Sequence, residues 1–252
     1  MLSDRERERY RRQILLFGEE GQERLKEAEI CIAGAGGLGS PVALWLAVAG
    51  VGTITLIDPD TVDRTNLNRQ VLHRDRDIGE KKVASAQEKL EELNPDITIR
   101  AIDARIDAGN AAKLVGRADG IVDCLDNYRA RYLLNRVALD NGIPLFHGAI
   151  RGMYGQATTI IPGKTPCLEC IFPRPPPEEE SPVVGVTPGL IGMVQATEVL
   201  KYLLGTGELL ANRLFLWDGL QGQASEICVE RNPACGACGD RGQGRKGKRR
   251  KG

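Results

Sequence analysis

The sequence is poor in aromatic residues: Phe, Trp and Tyr make up 4% of its 252 residues. That leaves little with which to build a stacking platform for single-stranded nucleic acid. Histidine is nearly absent too, with His73 and His147 the only two and far apart in the chain. A histidine-based triad or a catalytic zinc site has little material to use, and core or surface roles are expected for both. No apolar run approaches the roughly 20 residues that span a bilayer, so no membrane association is expected. Met1 to Arg12 is a charged run of Arg, Glu and Asp without an apolar centre, unlike a secretory signal. A cytoplasmic location is therefore expected, and seven cysteines need an explanation other than structural disulfides. Net charge is lacking as well, since 34 basic residues balance 34 acidic ones. The balance hides an asymmetry: residues 241–251 hold seven basic residues and no acid, leaving a body of 27 basic against 34 acidic. A nucleic-acid footprint would sit in that tail and not in the body, and nucleic acid is not expected as a partner.

What is present reads as one large α/β domain, or one and a half small ones, with 42% hydrophobic and 27% charged residues. Arg5 to Leu25 has helical apolar spacing at Ile14, Leu15 and Phe17. Residues 29–33 form a short apolar strand that ends in Gly34-Ala35-Gly36-Gly37-Leu38-Gly39-Ser40, and a helix is expected over 41–49. A second strand at 53–57 ends at Asp58, which completes the βαβ pattern of a nucleotide-binding fold. Helices over 81–93, 108–115 and 128–140 alternate with strands over 97–102, 120–123 and 144–149. That alternation predicts a Rossmann-like, mostly parallel sheet with helices on both faces. After about residue 150 the strands at 155–161, 213–217 and 224–229 look antiparallel, with a helix over 189–204 between them. The division expected is an N-terminal helical segment 1–28, a nucleotide-binding part 29–150, a C-terminal part 151–239 and a disordered basic tail 240–252. Residues 173–182 contain five prolines and three consecutive glutamates, which suits a mobile loop reaching to about residue 188.

Gly34, Gly36 and Gly39 have the G-x-G-x-x-G spacing, with Asp58 about 20 residues on. Glycines let backbone approach a phosphate, the following helix presents unpaired N–H groups, and Asp58 can accept from ribose hydroxyls. NAD, FAD and ATP sites share this signal, and a glycine turn that only packs helix on strand would also show it. Arg69 and Lys82 lie downstream and would neutralise a triphosphate, although solvated helix charges read the same way. Asp123-Cys124-Leu125-Asp126-Asn127 follows a buried strand, where open α/β sheets place ligands. A carboxylate there can hold hydrated Mg²⁺, while Asp126 or Asn127 could instead cap the next helix. Cys167-x-x-Cys170 and Cys235-x-x-Cys238 are two knuckles separated by about 64 residues. Four thiolates suit a closed, structural Zn²⁺ site, since a redox C-x-x-C needs no matching second pair. Cys31, Cys124 and Cys228 sit in apolar strand contexts and are expected to pack.

Taken together these residues resemble the ThiF/MoeB/HesA family, the ubiquitin-activating-like adenylyltransferases of sulfur carriers. The resemblance runs from about Asp4 to Gly239. It rests on Arg9-Tyr10-Arg11-Arg12-Gln13-Ile14, Gly34 to Ser40, Asp58-Pro59-Asp60, Asn66 to Gln70, Lys82, Asp123 to Asn127 and the paired knuckles. It implies MgATP-dependent adenylation of the C-terminal glycine of a small ubiquitin-fold sulfur-carrier protein, followed by sulfur transfer. It implies nucleotide contacts at Gly34, Gly36, Gly37, Gly39, Asp58, Asp60, Asn66, Arg69, Lys82 and Asp126. Asp58 would bind the ribose, Asn66, Arg69 and Lys82 the phosphates, and Asp126 the Mg²⁺. Arg12 would reach a neighbouring subunit's site, which makes a homodimer the catalytic unit. Cys167, Cys170, Cys235 and Cys238 would bind Zn²⁺.

One departure stands out. Many relatives carry a cysteine in the loop before the late helix, whereas 178–188 has none and Ser181 lies near its place. The enzyme is therefore expected to stop at the adenylate or to pass it to a separate sulfurtransferase or cysteine desulfurase. The basic tail lies outside the resemblance and reads as a solvated charge run, or as a docking arm for an acidic partner. Two other functions fit parts of the sequence. A nicotinamide-dependent oxidoreductase would use the glycine loop and Asp58 but leave Arg69, Lys82 and the knuckles unexplained. A non-catalytic module that holds a ubiquitin-like partner is the other.

Overall fold

The computed structural model describes residues 1–175 and 182–239. Ser181, the centre of the proline- and glutamate-rich loop and the basic tail lie outside the described residues.

The helical N-terminus is broken, not continuous. α1 spans Asp4–Arg9 behind a capping box in which Ser3 and Glu6 bond each other's backbone N–H groups. α2 spans Arg11–Glu27, with Gly18 at φ 76° and ψ 171° inside it. Only glycine visits that backbone region freely, so the chain turns there. Leu15 and Leu16 just before the turn are 78% and 84% exposed.

β1 (Glu29–Ala33), α3 (Gly39–Ala49) and β2 (Thr53–Ile57) form the first βαβ unit. Two short 3-10 turns, at 64–66 and 75–77, precede α4 (Lys82–Leu93) and β3 (Thr98–Ile102). α5 (Ala111–Val115), β4 (Gly120–Asp123), α6 (Tyr128–Asn141) and β5 (Leu145–Arg151) continue the alternation. β6 (Tyr154–Ile160), α7 (Leu168–Ile171), α8 (Val186–Leu204), β7 (Arg213–Asp218) and β8 (Gln223–Cys228) complete the chain order.

All eight strands form one sheet in the order β3-β2-β1-β4-β5-β6-β7-β8. β3 to β5 run parallel, and β5, β6, β7 and β8 pair antiparallel in turn. The mixed sheet read from the sequence is thus the one observed, and the change of direction falls at β5.

Side-chain alternation along each strand divides the core in two. Ile30, Ile32, Ile54, Leu56, Val122 and Phe146 point to the face covered by α3, α4 and α8. Cys31, Ala33, Ile57, Ile121 and Leu145 point to the face covered by α5, α6 and the cysteine knuckles. α3 has no polar face because it lies between the sheet and α8, with Leu46 and Ala47 fully buried. Cys31 and Cys124 are buried as expected, but Cys228 is exposed. The expectation that Cys228 packs is corrected by its position: β8 is the outer edge strand, and every residue in it is exposed.

Candidate active site

Strand order reverses between β1 and β4, and their C-terminal ends open the crevice where such sheets bind ligands. The glycine loop leaves β1 on one side, and 124–127 leaves β4 on the other. Between them lies a cleft of about 1850 Å³. Gly34, Gly36, Gly37, Asp58, Asp60, Arg69, Lys82 and Asp126 all line it. The fold therefore gathers most of the residues singled out in the sequence into one site.

The three motif glycines meet different surroundings. Gly34 has φ +101°, and a Cβ there would lie 2.6 Å from the Cys124 carbonyl oxygen. A Cβ on Gly39 would lie 1.9 Å from the Gly34 carbonyl oxygen, so this glycine lets α3 start against the loop. Gly39 does not line the cleft. At Gly36 the nearest atom to an added Cβ would be 3.6 Å away, in the Gln70 side chain. Asp58 braces the loop: its Oδ2 accepts from the Ala35 N–H at 2.8 Å and its Oδ1 from the Asp60 N–H at 2.9 Å. One lone pair on each oxygen remains for a ribose hydroxyl.

Lys82 starts α4 and is 6% exposed, with its ammonium 2.9 Å from Asp60. That single carboxylate holds the ammonium at the cleft wall. Arg69 donates to the Thr65 carbonyl at 2.8 Å and to Asn68 at 2.9 Å, which lays its stem against Gly37. Gly185, which caps α8, packs on the same segment: a Cβ there would meet the Asn68 carbonyl at 2.4 Å. Asn66 is turned to another task. Its Oδ1 accepts from the Asp63 N–H at 3.3 Å in the capping box of the 64–66 turn, and it does not line the cleft. Arg12 is exposed on α2 and does not line the cleft of its own chain.

The competing readings of Asp126 and Asn127 separate cleanly. Asn127 caps α6, accepting from the Ala130 N–H at 2.9 Å. Asp126 is exposed in the cleft, with Asn127 Nδ2 at 3.3 Å its one partner among the described residues. Its other oxygen and the remaining lone pair of the first can ligate a hydrated divalent cation. Beneath it, Asp123 is fully buried, 2.7 Å from His147 Nδ1 and 3.7 Å from Arg131 Nε. Arg131 donates to the Leu125 carbonyl at 2.6 Å, next to Asp126. Burial pushes the His147 pKa down against the pull of Asp123, so the ring is neutral, donates through Nδ1 and leaves Nε2 bare. Cys124 also touches the cleft, but burial holds its thiol pKa well above the usual value. A protonated, buried thiol is a poor nucleophile.

The cleft continues past the nucleotide-type end onto the antiparallel sheet. Tyr154, Gln156, Leu216, Asp218, Gln223 and Ser225 line it there. Pairing of Gln156 with Leu216 and of Leu216 with Ser225 puts these side chains on one sheet face.

The four knuckle cysteines converge, with their sulfurs all within 4.8 Å of one another. Cys167 Sγ lies 3.9 Å from Cys170 and 3.7 Å from Cys235, and Cys170 lies 3.3 Å from Cys238. A tetrahedral zinc with Zn–S bonds of about 2.3 Å needs sulfurs roughly 3.8 Å apart, so the donor set fits. The Asn232 N–H also points at Cys170 Sγ from 3.5 Å, as it would at a thiolate. Burial raises the Cys170 thiol to about 11 and Cys167 higher still. At Cys235 burial is outweighed by the backbone N–H groups of Cys238 and Ala237 together with hydrogen bonds from Cys170 and Cys167, and its pKa is lowered.

Three residues that the structure ties to the site were not assigned to it from the sequence. Gln195 of α8 donates to the carbonyls of Asp123 at 2.9 Å and Phe146 at 3.0 Å, so it staples β4 to β5. It is more than 70 residues from Asp123, and no local pattern links them. His73 touches the glycine loop at Ala35, and Arg131 buttresses the Asp126 loop.

The ThiF family profile matches residues 10–237. The SAMP-activating enzyme E1 of Haloferax volcanii is 43% identical over 243 residues, covering 93% of this chain and 90% of that protein. The sulfur carrier protein adenylyltransferase of Thermus thermophilus is 42% identical over 248 residues, covering 93% and 92%. A Zea mays adenylyltransferase and sulfurtransferase, MOCS3-1, is 38% identical over 92% of this chain, which spans 52% of that longer protein. Among solved structures, E. coli MccB crystallised with ATP superposes with a TM-score of 0.83 at 25% identity, over 92% of this chain and 73% of that one. No helix among the described residues is long and apolar enough to cross a membrane.

Proposed function

The chain belongs to the ThiF family, and we propose that it transfers AMP from ATP to the C-terminal carboxylate of a small ubiquitin-fold sulfur carrier, releasing pyrophosphate. The observation that carries this reading is the shape of the cleft. At about 1850 Å³ it exceeds the roughly 300–1,000 Å³ of ordinary small-molecule sites. A nucleotide fills the end between the glycine loop and Asp126. The remainder, running onto the sheet face at Gln156 and Leu216, has room for an extended peptide tail, with the carrier's globular part on the C-terminal half.

The chemistry follows from the groups present. A carboxylate is a poor electrophile, and joining it to AMP gives it a good leaving group. One carboxylate oxygen attacks the α-phosphorus. The bond from that phosphorus to the bridging oxygen breaks, and pyrophosphate leaves with the electron pair. No general base is needed, because the carboxylate is ionised at neutral pH. Charge grows on both sides of the phosphorus, and Arg69 and Lys82, which line the cleft, would neutralise it. Asp126 would hold Mg²⁺, which supplies further charge neutralisation on the phosphates. Asp58 would orient the ribose, Asp60 would fix Lys82, and Asn66 would act by shaping the turn that carries Arg69. The four cysteines would hold Zn²⁺ as a clamp between the middle of the chain and its C-terminal segment.

Arg12 would act in the cleft of a second copy, so the working unit would be a homodimer. Exposed Leu15 and Leu16 beside it form an apolar pair that a second copy would cover. Outside the zinc set the chain has Cys31 and Cys124, both buried, and Cys228 on the exposed edge strand. Cys31 and Cys228 do not line the cleft and Cys124 is buried there, so a separate sulfurtransferase or cysteine desulfurase would supply the sulfur nucleophile. A cytoplasmic location is part of this reading.

ATP–pyrophosphate exchange with a panel of purified sulfur carriers tests the proposal, run beside Asp126→Ala. Exchange with one carrier, abolished by the variant, is expected. ATP binding without exchange for any carrier would instead favour a non-catalytic holder of such proteins.

A further inference from the structure

The nucleotide-binding reading leaves His73 without a task, yet it sits in a buried chain of polar groups that ends on the glycine loop. Its Nε2 lies 3.2 Å from the Ala35 carbonyl oxygen and its Nδ1 2.9 Å from Ser85 Oγ. Ser85 lies 3.1 Å from Asp77, and Lys89 reaches Asp77 at 2.9 Å and Ser85 Oγ at 3.1 Å. His73, Asp77, Ser85 and Lys89 are all 7% exposed or less. Four such groups are costly to bury unless each is paired.

The end of the chain falls on two successive peptides of the loop. Asp58 holds the Ala35 N–H of the Gly34–Ala35 peptide, and His73 holds the Ala35 carbonyl of the Ala35–Gly36 peptide. A trans peptide is planar, so its C=O and the following N–H point in opposite directions. With the Ala35 carbonyl directed at the buried imidazole, the Gly36 N–H is directed the other way, and Gly36 lines the cleft. That N–H has no acceptor among the described residues. Were the peptide to flip, a carbonyl oxygen would face the incoming phosphates in place of a donor.

We propose that His73 is a positioning residue that locks the Ala35–Gly36 peptide with its N–H toward the anion, and that Ser85, Asp77 and Lys89 lock His73. This rests on the cleft being a nucleotide site. A carbonyl only accepts, so Nε2 carries a proton. In the neutral ring Nδ1 is then an acceptor, and the Ser85 hydroxyl donates to it, with Asp77 satisfied by Lys89 and the Arg74 N–H. Were the ring to take up a proton, Ser85 would turn its hydrogen to Asp77, and the grip on Ala35 would persist. Burial, aided by Lys82 and Lys89 and opposed by the Ala35 contact and Asp77, lowers the His73 pKa and keeps the neutral form dominant at pH 7.

The test compares His73→Leu with His73→Gln in the full chain, reading ATP affinity by calorimetry, Michaelis constants in pyrophosphate exchange, and thermal unfolding. Gln keeps an N–H that can reach the carbonyl. Roughly three- to tenfold weaker ATP binding is expected for His73→Leu, with the Michaelis constant for the carrier unchanged and substantial recovery in His73→Gln. Ser85→Ala, which frees the imidazole, is expected to weaken ATP binding in the same direction and serves should His73→Leu not fold. A folded His73→Leu that binds ATP as the wild type does overturns the proposal, as does equal loss in the Leu and Gln variants. Wild-type protein that takes up no ATP overturns the nucleotide reading itself, and the proposal with it.

Discussion

Gly36→Ala separates binding from folding more sharply than any other single change at this site. Of the three motif glycines, only Gly36 has both an ordinary φ and open space at its Cβ position, with the nearest atom 3.6 Å away at the end of a Gln70 side chain. Replacing such a glycine stiffens the unfolded chain and is expected to raise stability by about 0.4–1 kcal/mol. The added methyl would stand beside the N–H that the loop presents, at a residue that lines the cleft. A phosphate held there by charge-assisted hydrogen bonds, worth about 1.5–3 kcal/mol each, would be pushed out of reach. Loss of one bond corresponds to roughly 10- to 100-fold weaker ATP binding. Gly34→Ala is the contrasting variant. At φ +101° and 2.6 Å from the Cys124 carbonyl, it must distort β1 or β4 and is expected to lower stability by more than about 1 kcal/mol. Calorimetric ATP titration and thermal unfolding of both variants give the two readouts. A stable Gly36→Ala that binds ATP normally would refute the argument that this glycine is required by the ligand and not by the protein.

Other outcomes follow from the proposed function and from the structure. Equal amounts of Arg12→Ala and Asp126→Ala, unfolded and refolded together, are expected to recover exchange at about a quarter of wild-type sites, because one site of each mixed dimer is intact; no recovery would sink action in trans. Asp123→Asn should lower stability in urea unfolding by about 3 kcal/mol, since it leaves buried Arg131 without a carboxylate at 3.7 Å. Both histidines have pKa values lowered by burial, so the unfolded chain takes up protons first, near the usual 6.5. Stability is then complete above that pH and falls as pH drops below it, by up to about 1.4 kcal/mol per pH unit for each histidine; a flat profile between pH 7 and 5.5 would contradict it. Cys235→Ser is expected to abolish zinc retention, measured by metal analysis, and to raise amide exchange across 231–239 while ATP still binds.

The parts of the fold legible in the sequence are those carried by local pattern. Apolar strands bounded by turns, the glycine loop after β1 and the acid after β2 announce the βαβ unit without reference to anything distant. Boundaries of β1, β2 and β4 match the expected spans because these strands are buried on both faces and read as continuous apolar runs. The N-terminal helix was less legible. Apolar spacing continues through Tyr10 and Gly18, while the backbone turns at both; Tyr10 is buried with its hydroxyl accepting from Asn94, 84 residues away. Cys228 misled for a related reason. An apolar flank marks a strand but does not say whether anything covers it, and β8 is the uncovered edge.

The sequence by itself determined the chemistry available: a phosphate-type loop, two cations and a carboxylate downstream of it, and four thiols in two matched pairs. Each of these depends on residue identity and short spacing, which the chain carries locally. Only the tertiary structure decided how they are held. The order of strands brings Cys167 and Cys170 against Cys235 and Cys238, sets Gln195 across Asp123 and Phe146, and seats His73 under Ala35. These contacts join positions from 38 to 72 residues apart. They form because the sheet must bury both its faces at once, and no window of the sequence contains that constraint.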